Sequence, residues 1–165
     1  MARALGVQWQ IIEKAVAEFS GAARRFEHAG KYNGALLIDD FAHHPTEITA
    51  AISAARQEYP DKRVIVVFHP HTYSRTKALL DNFSSSLALA DEVIVMEVFG
   101  SAREKERTVS AEDVVKKIPE SKKPQVLAAP ADVAGYLRDR LSGNDVVLLL
   151  GAGEQWKVAE ELKKE

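Results

Sequence analysis

Residues 35–47 read Ala35-Leu-Leu-Ile-Asp-Asp-Phe-Ala-His-His-Pro-Thr-Glu47, and residues 64–77 read Val64-Ile-Val-Val-Phe-His-Pro-His-Thr-Tyr-Ser-Arg-Thr-Lys77. In each, a compact apolar run passes directly into a polar cluster and then into a helix-forming segment. The runs are rich in Val, Ile and Leu and do not alternate, which is the pattern of strands buried on both faces of a parallel sheet. Val93-Ile-Val-Met-Glu-Val98 and Val146-Val-Leu-Leu-Leu150 repeat the pattern, and Gln125-Val-Leu-Ala128 is a weaker version. Helical spacing of apolar residues fills the intervals over 45–59, 77–88, 111–118, 131–141 and 154–163. Pro45 suits a first helical turn, where its missing N–H costs nothing, and Ser110 with Asp113 forms a capping-box pattern. Strand-then-helix repetition predicts a doubly wound α/β domain, Rossmann-like, with a mostly parallel sheet of about five to six strands and helices on both faces.

Upstream, Ile11, Ile12, Ala15, Val16 and Phe19 predict an amphipathic helix over 8–19, stopped by Ser20-Gly21. A short hairpin follows, with strands over 24–27 and 35–39 around Gly30-Lys-Tyr-Asn-Gly34, whose Asn-Gly pair favours positive φ. The stretches 101–107 and 120–123 are charged and aperiodic, as solvated loops are.

The chain's 165 residues contain 46% hydrophobic and 28% charged residues, a composition that supports one soluble folded domain. Twenty-two Lys and Arg against 24 Asp and Glu leave a charge of -2, so no basic field invites a nucleic acid. No stretch has the length of a bilayer span and the N-terminus lacks an apolar signal region, so the expectation is a cytoplasmic protein without a membrane partner. With no cysteine, chemistry falls to His, carboxylates, Arg, Lys and hydroxyls.

In a doubly wound sheet the ligand address is the carboxyl edge of the strands. Two neighbouring strand ends carry four of the five histidines, at His43, His44, His69 and His71. Helix N-termini there suit a phosphate, and Asp39 or Asp40 suits ribose hydroxyls, although either aspartate could instead cap a turn. The His and Asp cluster admits a divalent metal, but Pro70 between His69 and His71 weakens that geometry. Anion recognition is favoured, with Arg75 as bidentate donor and His71 as a second donor, and no metal ligand is assigned. Arg24 and Arg25 could each reach a nucleotide phosphate or pair with a surface carboxylate. Gly151-Ala-Gly153 lacks the third glycine of a dinucleotide fingerprint, with Trp156 in its place, and no phosphate-binding Gly-x-x-x-x-Gly-Lys-Ser/Thr loop occurs. No Gly-x-Ser-x-Gly elbow presents a serine nucleophile.

Four ordered motifs, Arg24-Arg-Phe26, Asp39-Asp-Phe-Ala-His-His-Pro-Thr-Glu47, Pro70-His-Thr-Tyr-Ser-Arg-Thr76 and Leu150-Gly-Ala-Gly-Glu-Gln-Trp-Lys157, resemble the C-terminal domain of the Mur ligases. The second motif is shared by the members that join L-alanine to UDP-N-acetylmuramate and by those that recycle murein tripeptide, and the third resembles the alanine-adding group. The resemblance implies that residues 21–165 form that domain and that residues 1–20 are the last helix of the central ATPase domain. It implies a cytoplasmic ATP-dependent carboxylate-amine ligase of peptidoglycan biosynthesis, proceeding through an acyl phosphate. Its substrates would be UDP-N-acetylmuramate, L-alanine and ATP with Mg2+, the last two held mainly by the central domain. The N-terminal and central domains would be this domain's partners, and alone it would not ligate. By motif, Arg25, Asp40 and Phe41 would meet ATP, Phe41 standing where relatives often have Tyr. His43, His71 and Arg75 would meet the amino acid and the reacting carboxylate, and Thr72 stands where some relatives have Arg. The alternatives are a tripeptide-recycling ligase domain, a non-catalytic nucleotide-binding module, and a metal-dependent hydrolase.

Overall fold

The computed structural model describes residues 2–18, 22–104 and 106–164. Six strands form one sheet: β1 (Glu27–Tyr32), β2 (Ala35–Asp40), β3 (Arg63–His69), β4 (Glu92–Val95), β5 (Gln125–Val126) and β6 (Asp145–Gly151). Their order is β1-β2-β6-β3-β4-β5, with β1 antiparallel to β2 and every other neighbouring pair parallel. The helices are α1 (Trp9–Ala17), α2 (Pro45–Glu58), α3 (Tyr73–Ala78), α4 (Leu80–Leu87), α5 (Ala111–Val115), α6 (Pro130–Arg138) and α7 (Lys157–Lys163). None is long and apolar enough to cross a membrane.

The sheet separates two cores, as the unbroken apolar runs require. On one face Val64, Val66, Phe68, Val146, Leu148 and Leu150 pack against Ile48 and Ile52 of α2, Phe83 and Leu87 of α4 and Val114 of α5. On the other, Ile65, Val67, Val147 and Leu149 meet Val133 and Leu137 of α6 and Val158 and Leu162 of α7. Successive residues of one strand thus feed opposite cores, which fixes the register of β3 and β6 against a one-residue slip.

The hairpin exists but is displaced from the predicted 24–27 strand. Arg24 and Phe26 have positive φ of 56° and 49°, and the Phe26 N–H donates to Asp40 Oδ2 at 2.8 Å, so residues 24–26 form a turn and β1 starts at Glu27. The turn itself contains Asn33 and Gly34, both left-handed (φ 48° and 82°), as a tight turn matched to strand twist demands. The predicted 77–88 helix is two: Thr72 Oγ1 accepts the Arg75 N–H and starts α3 early, and Leu79 (φ -113°, ψ 20°) breaks the path before α4. The predicted 93–98 strand pairs only over Glu92–Val95, all four residues with β3 and Ile94 and Val95 also with the two-residue β5. The 154–163 helix begins at Lys157, after a tighter turn in which the Lys157, Val158 and Ala159 N–H groups bond three residues back, to the Glu154, Gln155 and Trp156 carbonyls. The helix predicted over 8–19 is α1 within its described part, while Phe19, Ser20 and Gly21 lie outside the described residues. Both sequence-level caps are present: Ser110 with Asp113 on α5, and Pro45 in the first turn of α2 behind His44.

The amino edge of the sheet is closed by charge. Arg63 Nε donates to Asp145 Oδ1 at 2.7 Å and Nη1 lies 3.5 Å from Glu92 Oε2, while Tyr136 Oη donates to Glu92 Oε1 at 2.9 Å. Asp145 and Glu92 are buried and Arg63 is partly exposed, so removing the arginine strands two carboxylates at low dielectric. Arg63→Ala is expected to cost about 3 kcal/mol in urea unfolding, against about 0.5 kcal/mol or less for the exposed Arg103→Ala. Equal, small losses would mean that the Arg63 cluster contributes little.

Candidate functional site

At the carboxyl edge β2 ends in Asp39 and Asp40, β6 in Gly151 and β3 in His69, and most of the predicted site residues meet there. The polar groups fall into two neighbouring sets.

The first surrounds the end of β2. Arg24 reaches inward: Nε donates to Asp39 Oδ2 at 2.8 Å and Nη2 to the Gly151 carbonyl at 3.0 Å. Gln155 Nε2 donates to the same carbonyl at 2.7 Å, so the entry segment, β2, β6 and the β6–α7 loop share one polar junction. Burial pushes the Asp39 carboxyl above its ordinary range, and Arg24 opposes that rise. Asp40 is consumed locally, with Oδ1 accepting from Ala42 N at 2.7 Å and Oδ2 from Phe26 N at 2.8 Å, which is the turn-capping role that sequence left open. Phe41 lies between two cations, its ring centroid 5.1 Å from the Arg24 guanidinium carbon and 5.8 Å from that of Arg25. Arg25 is exposed, whereas Arg24 is half-buried and fixed by two partners. The adjacent arginines are thus divided, one into structure and one toward solvent, by the positive φ at Arg24.

The second set lies where β2 and β3 run into α2 and α3. His43 Nδ1 donates to the Phe41 carbonyl at 2.9 Å, so Nε2 is the ring nitrogen left for a ligand. Glu47 accepts from the His43 and His44 main-chain N–H groups, which with His43 and Arg25 outweigh its burial and hold its carboxyl below the usual range. His44 caps α2 by accepting from Thr46 N. Burial, then the charges of Arg75 and His43, push His71 below the ordinary imidazole value. Arg75 donates to the His71 carbonyl at 3.1 Å through Nη1.

His69 belongs to the scaffold between the two sets. It is buried, and burial holds it neutral by lowering its pKa. Its Nδ1 accepts the Glu154 N–H, and a Cβ on Gly153 would stand 2.2 Å from that nitrogen. Gly151 (φ 139°) has its missing Cβ aimed 2.6 Å from the His69 carbonyl. The glycines therefore let the last loop close against β3 as a wall. No group of three or more His, Asp or Glu side chains converges as a metal site among the described residues.

Sequence reasoning named Arg24 only as an equal alternative to Arg25, and it passed over Gln155, Phe99 and Glu104. Phe99 stacks on His71 with ring centroids 5.3 Å apart and planes 12° apart. Glu104 accepts from Tyr73 N at 3.0 Å, Ser74 N at 2.8 Å and Ser101 N at 3.3 Å; Ser74 contributes most to holding its carboxyl at about 2. These residues bound an open pocket of about 420 Å³ lined by Tyr73, Phe99, Ser101, Glu104 and Arg107. The alternation of charges in 101–107 carries no signal that one of its acids clasps α3.

The same architecture is found in solved ligases. A UDP-N-acetylmuramate-alanine ligase from Thermotoga maritima superposes with a TM-score of 0.73 at 28% identity, over 96% of this chain and 33% of that one. A murein peptide ligase from Psychrobacter arcticus gives 0.72 at 25% identity, over 98% and 33%. In sequence, the UDP-N-acetylmuramate--L-alanine ligase of Desulfitobacterium hafniense is 42% identical over 160 residues, 96% of this chain and 36% of its own length. That of Ligilactobacillus salivarius is 48% identical over 148 residues, covering 90% and 32%. The chain therefore spans about a third of the length of the relatives it matches. Residues 24–153, from the inward arginine to the glycine packed on His69, match the model for the Mur ligase glutamate ligase domain, and the chain belongs to the Mur ligase family.

Proposed function

We propose that this chain is the C-terminal, substrate-binding and closing domain of an ATP-dependent ligase that joins L-alanine to UDP-N-acetylmuramate in peptidoglycan biosynthesis, working in the cytoplasm. The observation that carries it is the pairing of two sets on one sheet edge: the Phe41 ring with the Arg24 and Arg25 guanidinium groups near it, and, where β2 and β3 run into α2 and α3, His43 fixed on the Phe41 carbonyl and Arg75 fixed on the His71 carbonyl. Two binding sets without a phosphate loop suit a domain that completes a site begun elsewhere.

In this reading Arg25 meets the nucleotide phosphates and Phe41 offers its ring to the adenine. Asp40 shapes the loop between them, and with one bond accepted at each carboxylate oxygen its remaining acceptor capacity is assigned to a ribose hydroxyl. The lactyl carboxylate attacks the γ-phosphorus, ADP leaves, and the alanine amine then adds to the acyl phosphate and expels phosphate. Arg75 holds the alanine carboxylate as a fixed counter-charge, and His43 Nε2 is placed to accept a hydrogen bond from the amine. His71, held neutral, adds a donor without repelling Arg75. Mg2+ neutralises phosphate charge when bound, and its ligands are assigned to the rest of the protein.

Residues 1–20 are assigned to the central domain's last helix. In support, α1 buries no residue against this domain and exposes Trp9, Ile11 and Val16 at 53%, 58% and 70%. The N-terminal and central domains are the partners that would cover them.

The murein tripeptide reading keeps one specific support, since the Psychrobacter enzyme superposes as well as the Thermotoga one. Offering tripeptide in place of alanine separates the two.

The decisive experiment replaces the matched C-terminal third of the Desulfitobacterium relative with this chain and follows ADP release with UDP-N-acetylmuramate and L-alanine. Product from the chimera, and none from the chain alone, is expected. Stoichiometric metal with hydrolysis by the chain alone would overturn the reading, and nucleotide binding with an inert chimera would favour a binding module. Arg75→Ala should raise the alanine KM by about 10- to 100-fold, the loss of a charge-assisted pair, with the ATP KM unchanged. Phe41→Ala should weaken nucleotide binding in calorimetry by about three- to tenfold, the worth of a stacking face and its cations.

A further inference from the structure

We propose that Phe99 is a positioning residue of the amino-acid subsite: its ring, stacked flat on the His71 imidazole, is what sets the direction of that imidazole. The proposal rests on the ligase reading, because it needs His71 to face the amino acid.

The histidines of the site differ in how their rings are held. His43 is fixed by its bond to the Phe41 carbonyl and His69 by the Glu154 N–H. For His71, no hydrogen bond to either ring nitrogen is made by the described residues, and Arg75 holds its main-chain carbonyl only. What the imidazole has instead is the Phe99 face, 5.3 Å away between centroids and within 12° of parallel. That is an offset stack, the arrangement aromatic rings prefer. The same phenyl ring turns toward His69 at 89° and 6.1 Å, so it sits in the corner formed by the two histidines.

Core packing does not explain this residue. Phe99 is 47% exposed and belongs to neither core, whereas the preceding Val98 is buried with Tyr73 and Val109. Its backbone is nonetheless firmly placed. Phe99 N donates to the Pro70 carbonyl at 2.9 Å, in a parallel bridge that sets Phe99 opposite His71. Gly100 packs so closely on Tyr73 that a Cβ would lie 2.4 Å from its ring. Glu104 then ties Ser101 to the start of α3 through three main-chain N–H groups. A half-exposed aromatic ring on a frame fixed at both sides is an arrangement that orients a neighbour.

The stack also takes up neither imidazole nitrogen, and the described residues leave both for a ligand, which a protein hydrogen bond would not. Orientation by a ring face therefore preserves the donor that the ligase reading assigns to His71.

The test uses Phe99→Leu, which keeps an apolar side chain, and Phe99→Tyr, which keeps the face. In this chain, the His71 imidazole C–H resonances should lie under the Phe99 ring current. They should move downfield in the leucine variant and return in the tyrosine variant, with the amide spectrum of the β3 and β6 core unchanged. In the chimeric ligase, Phe99→Leu should raise the alanine KM by about three- to tenfold and leave the ATP KM alone, with Phe99→Tyr near the parent. Unmoved His71 resonances in folded Phe99→Leu would overturn the proposal, as would equal changes in both KM values or failure of tyrosine to rescue. An inert parent chimera with the ring-current shift intact would locate the failure in the ligase reading and remove the catalytic role of the stack with it.

Discussion

The structure depends on the insertion of the last strand into the middle of the sheet. All seven residues of β6 are buried, with β2 on one side and β3 on the other, each paired with it in parallel register. Val147 and Leu149 supply one core while Val146, Leu148 and Leu150 supply the other, so the two helical layers cannot both be completed without this strand. Its position also makes the functional edge. Gly151 lies between Asp39 and His69, and its carbonyl receives both Arg24 and Gln155. The two polar sets meet beside the end of this strand, one around the end of β2 and the Gly151 carbonyl, the other where β2 and β3 run into α2 and α3.

The central strands were legible because double-sided burial leaves an unambiguous trace. The runs at 35–38, 64–68 and 146–150 have no polar residue to offer a solvent face, and the adjoining polar clusters marked the carboxyl edge. What failed to read was local geometry decided by distant partners. Arg24-Arg-Phe-Glu27 reads as the first strand of a hairpin, yet Asp40, more than a dozen residues on, draws in the Phe26 N–H and turns the segment. The start of α7 lies three residues later than the periodicity implies, where the chain after β6 turns tightly with Glu154 held on His69 of another strand. The site residues Phe41, His43, His71 and Arg75 were visible as types beside strand ends. The stack of Phe99 on His71 was not, since it follows from a bridge between loops with no signature in either.

The sheet's two edges spend charge in opposite ways. At the amino edge Arg63, Asp145, Glu92 and Tyr136 satisfy one another, and Asp145 also accepts from the Ser142 N–H and hydroxyl. Asp91 there shows the same economy: burial would raise its pKa, but Arg56 and the Val64 N–H hold it low. At the carboxyl edge only part of the inventory is consumed. Arg24 and Asp39 pair, whereas Arg25 stands exposed beside Phe41.

This asymmetry bears on why a domain of this kind needs neighbours. Cations left beside an aromatic face and a cluster of imidazoles stabilise negative charge brought to them, and their effect in water is small because solvent screens it. Exclusion of that solvent requires a second surface over the edge, and strengthens each of these interactions once it closes. Fixing the groups beforehand lowers the ordering cost of that closure. His43 by its bond to Phe41, His69 by Glu154, and the Gly151–Gly153 wall by its contact with His69 are already set in the open domain. In the proposed reading, closure over this edge would supply the missing surface and the substrates, while the geometry on this side is already in place.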